Sequence, residues 1–474
     1  EGEKTRKKVI LPRKLDAPVR EGEKIMGRLF GTDGVRGVAN SELTCELAMK
    51  IGRAAAMVLT EGKKGNAKVL IGKDTRLSSD MLESALTAGL CSIGVDVISL
   101  GVVPTPAVAF LVGKYKADAG VMISASHNSY EFNGIKIFSG DGYKLPDALE
   151  EQIEAIVLDD VKVPVLPVGE DVGHVSIAEN AVKDYIDHIK CTVPFSLDGL
   201  KVAFDCSNGS ASRTAERLFT ELGAECHMLF DKPNGVNIND NCGSTHMEDL
   251  MDYVREHDVD VGIAFDGDAD RCLAVDEKGN LVDGDFVMAI CAADLKSRGK
   301  LNKNTVVGTV MTNMGFMRFC DENGLKFVST NVGDRYVLED MLREEYNFGG
   351  EQSGHVIFLD FATTGDGQLT AAHLLSLLRR REAKLSSMAT LMSRYPQVIV
   401  NVKVSDEGKI AFYTDHVVKK AIEDAKEKVS NNGRVLVRVS GTEPLVRVML
   451  EGEDFEYIEK IANEVADVVK ERLS

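Results

Sequence analysis

The feature that most constrains this chain is a plan repeated three times. An apolar strand runs into a polar, Gly-containing loop, an amphipathic helix follows, a glycine closes it, and a second strand begins. The first copy is AKVLIGKDTRLSS (67–79), a helix with Leu82, Leu86, Leu90 and Ile93 on one face, then Gly94 and VDVISL. The second is LKVAFDCSNGSAS (200–212), then Ala215, Leu218, Phe219 and Leu222 at helical spacing, then Gly223 and ECHMLF. The third is NTVVGTVMTN (304–313), a helix through MGFMRFCDENG, and LKFVST. Apolar strands without alternation, joined by helices, predict parallel sheets covered on both faces, hence an α/β class. Ligands of such sheets gather beyond the carboxyl ends of the strands.

The end of the chain follows another plan. QVIVNVKVS (397–405) alternates, a helix follows, and GRVLVRVSGTEPLVRVMLEGE (433–453) reads as a strand pair before a last amphipathic helix. This predicts a small antiparallel α+β domain. The helical stretch 370–396 is expected to form the junction before it.

With 474 residues, three or four domains are expected. The net charge of −18 argues against a nucleic-acid partner, which would want a basic face. No apolar run approaches a membrane span. Nine cysteines, an odd number without CxxC spacing, read as reduced thiols in a cytoplasm. Residues 1–25 hold eight Lys/Arg, five Asp/Glu and no serine, which fits neither a signal nor a transit peptide. They read as an N-terminal extension, with Met26 opening the core.

Five motifs carry chemistry. In AGVMISASHNSYEFNGIKIF (119–138) a buried strand delivers Ser126 and its neighbour His127 to a loop, with Lys136 ten residues on. A serine so placed can act as nucleophile or phosphoryl carrier. In VGIAFDGDADRC (261–272), Asp266, Asp268 and Asp270 alternate directly after an apolar strand and can converge on one hard cation such as Mg²⁺. Asp266, Asp268, Asp270 and Glu277 match positions 1, 3, 5 and 12 of an EF-hand, but Arg271 stands where that loop needs glycine, which excludes it. FGGEQSGH (348–355) sets Glu351, Ser353 and His355 on alternate residues, predicted to point one way from an extended chain and suited to sugar hydroxyls. RVSGTEPLVR (438–447) gathers Arg438, Ser440, the Gly441 backbone, Thr442 and Arg447 at a tight turn fit for phosphate. GTDGVRG (31–37) opens the core with Arg36 as its functional group and without a dinucleotide fingerprint.

In this order the motifs resemble those of the α-D-phosphohexomutase superfamily, over about residues 26–474. Within it, NINDNCGSTH (237–246) and VGDRYV (332–337) are similar to the phosphoglucosamine mutase branch. The resemblance implies four domains around a central cleft: three related α/β/α domains with mixed sheets, at 26–180, 181–282 and 283–391, and a smaller α+β domain at 392–474. It implies that Ser126 is a phosphoserine required for activity and that Asp266, Asp268 and Asp270 hold one Mg²⁺ with its phosphate. It further implies that Glu351 and Ser353 grip the sugar, and that Arg438, Ser440, Gly441, Thr442 and Arg447 hold the substrate's own phosphate. Proton transfer falls to Lys136, Arg36 and His355, with Lys136 favoured as the base. His127 is grouped with these catalytic residues. Ser129 stands where the family usually has proline. The implied activity interconverts glucosamine 6-phosphate and glucosamine 1-phosphate through a 1,6-bisphosphate, towards UDP-N-acetylglucosamine. The alternatives are a phosphoglucomutase or phosphomannomutase of the same mechanism and a metal-dependent sugar phosphatase. A cytoplasmic enzyme is expected, with a phosphosugar as partner and a homodimer compatible.

Overall fold

A computed structural model of the chain describes residues 28–31, 33–61, 63, 67–162, 164–440 and 444–474. The N-terminal extension 1–25, Met26, Gly441 and Thr442 lie outside the described residues.

Four sheets follow one another along the chain. The first runs in the order Val35–Val38, Phe132–Ser139, Ala119–Ile123, Lys68–Lys73, Asp96–Val102, Val175–Ile177. The second has Leu281–Val282, Cys272–Val275, Val261–Phe265, Lys201–Asp205 and Glu225–Leu229. The third has Lys326–Thr330, Thr305–Thr309, Phe348–Gly350 and Val356–Phe358. The fourth, Gln397–Lys403, Leu445–Gly452 and Gly433–Val439, is antiparallel throughout, as its alternation predicts.

The first three sheets are mixed, as the resemblance implies, and not parallel as the strand pattern alone predicts. The repeated strand–helix–strand units do pair in parallel. But each of the first three sheets then reverses: Ala119–Ile123 pairs antiparallel with Phe132–Ser139, Val261–Phe265 with Cys272–Val275, and Phe348–Gly350 with Val356–Phe358. All three chemistry-bearing loops are therefore hairpin loops at the same place in three sheets. The strand pattern does not reveal these reversals, because an apolar run looks the same whichever way its neighbour points.

Burial explains the elements. All five residues of Ala119–Ile123 and of Val261–Phe265 are buried, as central strands covered on two faces require. Leu82, Leu86 and Leu90 are fully covered on helix Leu77–Cys91, while Ile93 falls beyond its end. Helix Gly367–Arg381 is not a junction: Leu369, Leu374, Leu375 and Leu378 join Val108, Tyr185, Phe265 and Phe316 in one core spanning the first three sheets. Its N-cap, Asp366, accepts from Leu369 N and from the buried Tyr185 hydroxyl (2.8 Å). The C-terminal domain has its own core, built around Val446, Val448, Leu450 and Ile461.

Candidate active site

Ser126 sits in the first hairpin loop, buried, at φ 52°, a left-handed backbone uncommon for a residue with a side chain. Such a conformation persists only where neighbours over-determine it. Here two side chains clamp the loop from behind. Arg76 donates to Ser126 O (3.1 Å) and Asn128 O (2.6 Å), and the Asn239 amide donates to the same two carbonyls at 2.9 and 2.8 Å. Ser126 N–H donates to Ser124 Oγ at 3.0 Å. Gly267 must be glycine, since a Cβ there would stand 2.6 Å from Ser126 O. The stiffness a proline at 129 would supply is thus supplied by Arg76 and Asn239, and the Ser129 carbonyl accepts from Phe132 N at 3.2 Å.

The second hairpin loop meets the first. Ser126 Oγ donates to Asp266 Oδ2 at 2.6 Å. Carboxylate oxygens of Asp266, Asp268 and Asp270 lie within 4.8 Å of one another, all three residues buried. Burial, with Asp270 and Asp268 beside it, pushes the Asp266 carboxyl well above its usual range. Asp268 Oδ2 accepts from Thr105 Oγ1 (2.5 Å) and Lys136 Nζ (2.7 Å). The other oxygen of Asp268 and Oδ1 of Asp270 are buried without a hydrogen-bond partner. Converging hard oxygens with lone pairs to spare fit a divalent cation of the Mg²⁺ kind. Glu277, the twelfth position of the excluded EF-hand, instead accepts from Ser386.

Cations enclose this cluster. Lys136, 2% exposed, lies 2.8 Å from Asp33 Oδ2 and 3.5 Å from Asp270 Oδ2, besides its bond to Asp268. Burial works against its charge, but Asp268, Asp33 and Asp270 outweigh it and hold the ammonium well above its usual range. These carboxylates favour the charged ammonium over the free amine that a base would need. Asp33, passed over in GTDGVRG, binds Arg36, Lys136 and Lys144 together. Arg271 donates to His127 Nδ1 at 3.3 Å. Burial, then Arg271 and Arg36, pushes the His127 imidazole down to about 4, so it is neutral near pH 7 and accepts rather than donates at Nδ1, 3.4 Å from Ser126 Oγ.

The third loop turns more sharply than the alternation argument predicts. Gly354 N donates to Glu351 O at 3.0 Å, closing a turn, so Glu351, Ser353 and His355 do not project from an extended chain. Glu351 Oε1 accepts from Gly333 N (3.1 Å), and Ser353 is half-buried. Buried His355 has Nδ1 3.6 Å from Asp270 Oδ1 and Nε2 3.4 Å from Asp334 Oδ2. Burial lowers its pKa, but Asp270 and Asp334 outweigh that and raise it overall.

Arg438, Ser440 and Arg447 form a separate group on the C-terminal sheet. Arg438 and Arg447 are directly opposite across two antiparallel strands. Like charges so paired repel unless an anion comes between them. Burial, then Arg447, lowers the Arg438 pKa, and its Nε is buried without a hydrogen-bond partner. Arg447 Nε donates to Asn401 Oδ1 at 2.9 Å, and Ser440 N to Leu445 O at 2.8 Å.

Sequence reasoning brought Ser126, the three aspartates, Lys136, His127, His355 and Glu351 to one site but missed Arg76, Thr105, Asp33, Lys144, Asn239 and Asp334. Four of these lie inside stretches singled out above, in KDTR, GTDG, NINDN and VGDRYV.

Known proteins agree with this layout. Four phosphoglucomutase/phosphomannomutase domains match in order: alpha/beta/alpha domain I at 27–163, II at 183–279, III at 283–395 and the C-terminal domain at 399–468. The chain is 54% identical over 447 residues to a phosphoglucosamine mutase of Clostridium novyi, covering 94% of this chain and 99% of that one. It is 55% identical over 448 residues to a phosphoglucosamine mutase of Acetivibrio thermocellus, covering 94% and 100%. Among solved structures, a phosphoglucomutase/phosphomannomutase family protein of Burkholderia thailandensis shares the fold at TM-score 0.78 and 24% identity, over 94% of this chain and 98% of that one. An N-acetylphosphoglucosamine mutase of Aspergillus fumigatus, solved with GlcNAc-6P and magnesium, does so at TM-score 0.68 and 16% identity, over 94% and 96%. The chain belongs to the α-D-phosphohexomutase superfamily, among its phosphoglucosamine mutases.

Proposed function

We propose that this isomerase interconverts glucosamine 6-phosphate and glucosamine 1-phosphate, with Ser126 as phosphoryl carrier and a 1,6-bisphosphate intermediate. The observation that carries this is the Ser126 hydroxyl 2.6 Å from Asp266, with Asp268 and Asp270 converging on the same point. Phospho-Ser126 gives its phosphoryl group to the free hydroxyl of the substrate; the Ser126 Oγ–P bond breaks as the sugar O–P bond forms. The sugar then turns over, and its other phosphate returns to Ser126. Phosphoryl transfer asks chiefly for positioning and charge neutralisation. Asp266, Asp268 and Asp270 would hold Mg²⁺, which would neutralise charge on the transferring phosphate.

The remaining work falls to side chains. Lys136 and Arg36 keep positive charge beside the reacting oxygens. His355, whose Nε2 accepts from Gly365 N at 3.0 Å, turns Nδ1 toward Asp270 and exchanges the proton of the attacking hydroxyl through that nitrogen. Neutral His127 leaves the serine oxygen free of a competing donor. Glu351 and Ser353 grip the sugar hydroxyls. Arg438, Ser440, Gly441, Thr442 and Arg447 hold the phosphate that does not react, in both orientations of the sugar. Thr105 fixes Asp268 through its hydroxyl and its N–H, which donates to Asp268 O at 2.9 Å. The nine cysteines are free thiols, which suits a reducing cytoplasm. No helix among the described residues is long and apolar enough to cross a membrane.

The test is turnover of glucosamine 6-phosphate, followed by phosphorus NMR with Mg²⁺ and catalytic 1,6-bisphosphate, beside intact-mass detection of one phosphoryl group on Ser126. Faster turnover of glucose or mannose phosphates would move the assignment to the neutral hexoses. Net release of inorganic phosphate would make the protein a phosphatase.

A further inference from the structure

The stretch VGDRYV (332–337) carries no substrate-binding or catalytic role above, yet its contacts reach both sides of the site. Gly333 lies at φ 129°, ψ 132°, a backbone open only to glycine, and its N–H donates to Glu351 Oε1 at 3.1 Å. Asp334, first residue of helix Asp334–Glu344, accepts from Lys144 Nζ at 2.5 Å and lies 3.4 Å from His355 Nε2. Arg335 donates to Leu145 O (2.8 Å), lies 3.1 Å from Glu150 Oε2, and pairs with Asp147. Lys144 also pairs with Asp33 Oδ1 (2.5 Å), whose other oxygen takes Lys136 at 2.8 Å. Contacts run through the site in a ring, from Asp33 to Lys136, Asp270, His355, Asp334, Lys144 and back to Asp33; at His355 the neighbours lie at 3.6 and 3.4 Å, and its Nε2 accepts from Gly365 N at 3.0 Å. The ring's members come from all three α/β domains. Next to it, the Thr363 hydroxyl donates to Gly142 O at 2.6 Å, a second tie between the loop at 139–145 and the third domain.

The geometry points to Gly333-Asp334-Arg335, with Lys144, as a clasp that sets the sugar-gripping turn at a fixed distance from the serine loop. Asp334 and Lys144 are positioning residues: they act through His355, Glu351 and Lys136. The inference rests on the reading of Glu351 and His355 as groups that face the sugar. A reacting pair held about an ångström out of place loses roughly a hundredfold in rate. Breaking one member of the clasp therefore lowers kcat by roughly tenfold to a hundredfold, with KM changed less because the phosphate grip on the C-terminal sheet is untouched.

The experiment compares Lys144→Met, Lys144→Arg, Asp334→Asn and the Lys144→Met/Asp334→Asn pair in the full chain. Arg343→Gln, at an exposed ion-pair site further along the same helix, is the control. Initial rates are read with glucosamine 6-phosphate, and hydrogen exchange is read on peptides 139–150 and 346–358. Expected are a fall in kcat in Lys144→Met and Asp334→Asn, recovery in Lys144→Arg, and a double variant no worse than the worse single one. Exchange should quicken in both peptides together. Normal kcat and normal exchange in folded Asp334→Asn, which keeps side-chain size and one acceptor oxygen, overturns the clasp, as does a double variant whose losses multiply. Quickened exchange in the two peptides supports the clasp by itself, so an absence of mutase turnover in the wild type would count against the functional reading alone. Should Lys144→Met not fold, Asp334→Asn decides by the same criteria.

Discussion

Replacing Asn239 by glycine asks whether the serine loop is held from behind. The Asn239 amide donates to Ser126 O and Asn128 O, at 2.9 and 2.8 Å, from a residue that is 8% exposed. Its backbone lies at φ 57°, which glycine adopts without strain, so the substitution deletes the amide and little else. Two neutral hydrogen bonds at about 1 kcal/mol each put the loss near 2 kcal/mol. Arg76 still reaches both carbonyls, so this figure is a ceiling. A loop that must be drawn back into place before transfer passes that loss to the rate, about 1.4 kcal/mol for each factor of ten. Asn239→Gly should then lower kcat by roughly tenfold to thirtyfold, with KM nearly unchanged, because the amide faces backbone rather than sugar. Asn241→Gly is the matched control: φ is 50°, and its amide reaches only exposed Asp240. Initial rates across a range of glucosamine 6-phosphate, beside urea unfolding curves, give the answer. A kcat within twofold of wild type, or an equal loss in Asn241→Gly, refutes the argument.

Ser126→Ala should abolish turnover and the added phosphoryl mass; residual full activity would remove the carrier role. Arg447→Ala should raise KM at least tenfold, since it removes one of two arginines facing each other across the turn; an unchanged KM would disconnect that turn from the substrate. Chelation should lower the thermal midpoint as well as activity, and Mg²⁺ should restore both in wild type but not in Asp268→Asn; a midpoint indifferent to Mg²⁺ in wild type would refute the three-aspartate site. Burial pushes the Asp205 carboxyl up to about 7, although backbone N–H groups of Gly243 and Ser207 favour its ionised form. Because the folded state binds this proton more tightly than the unfolded one, the contribution is complete at low pH and is lost as pH rises from about 4 to about 7. Urea midpoints at pH 5 and pH 8 should therefore differ less in Asp205→Asn than in wild type, and an equal difference in both would exclude Asp205 as the cause.

What could be read in the sequence was local. Ser126 and the three aspartates stand in short runs at the ends of apolar strands, and strand burial plus residue chemistry suffices to point at them. The clamps and the clasp were not legible, because each joins residues far apart in the chain. Arg76 reaches Ser126 across 50 positions, Asn239 across 113, and Lys144 reaches Asp334 across 190. No periodicity encodes such a contact. The hairpin reversals were hidden for a different reason: a strand buried on both faces carries no alternation that would reveal its neighbour's direction. In FGGEQSGH the two glycines and Gly354 allow a turn that overrides the alternate spacing of Glu351, Ser353 and His355.

The balance of charge at the site explains why these distant pieces belong together. Asp33, Asp266, Asp268, Asp270, Asp334 and Glu351 face Lys136, Lys144, Arg36 and Arg271, with His355 between them. Six carboxylates against four permanent cations leave an excess of negative charge whether or not His355 carries its proton. Burial makes such an excess costly, and with Asp270 and Asp268 beside it raises the Asp266 carboxyl well above its usual range. A divalent cation among the three aspartates would remove the excess. Phosphorylation of Ser126, as proposed above, would then add negative charge at the same place. The cations paired with Asp33 and Asp270 would answer it by sharing themselves between carboxylate and phosphate. A site that is nearly neutral with metal bound can take a phosphate on Ser126 and return it without large movements of charge, which is what transfer in both directions requires.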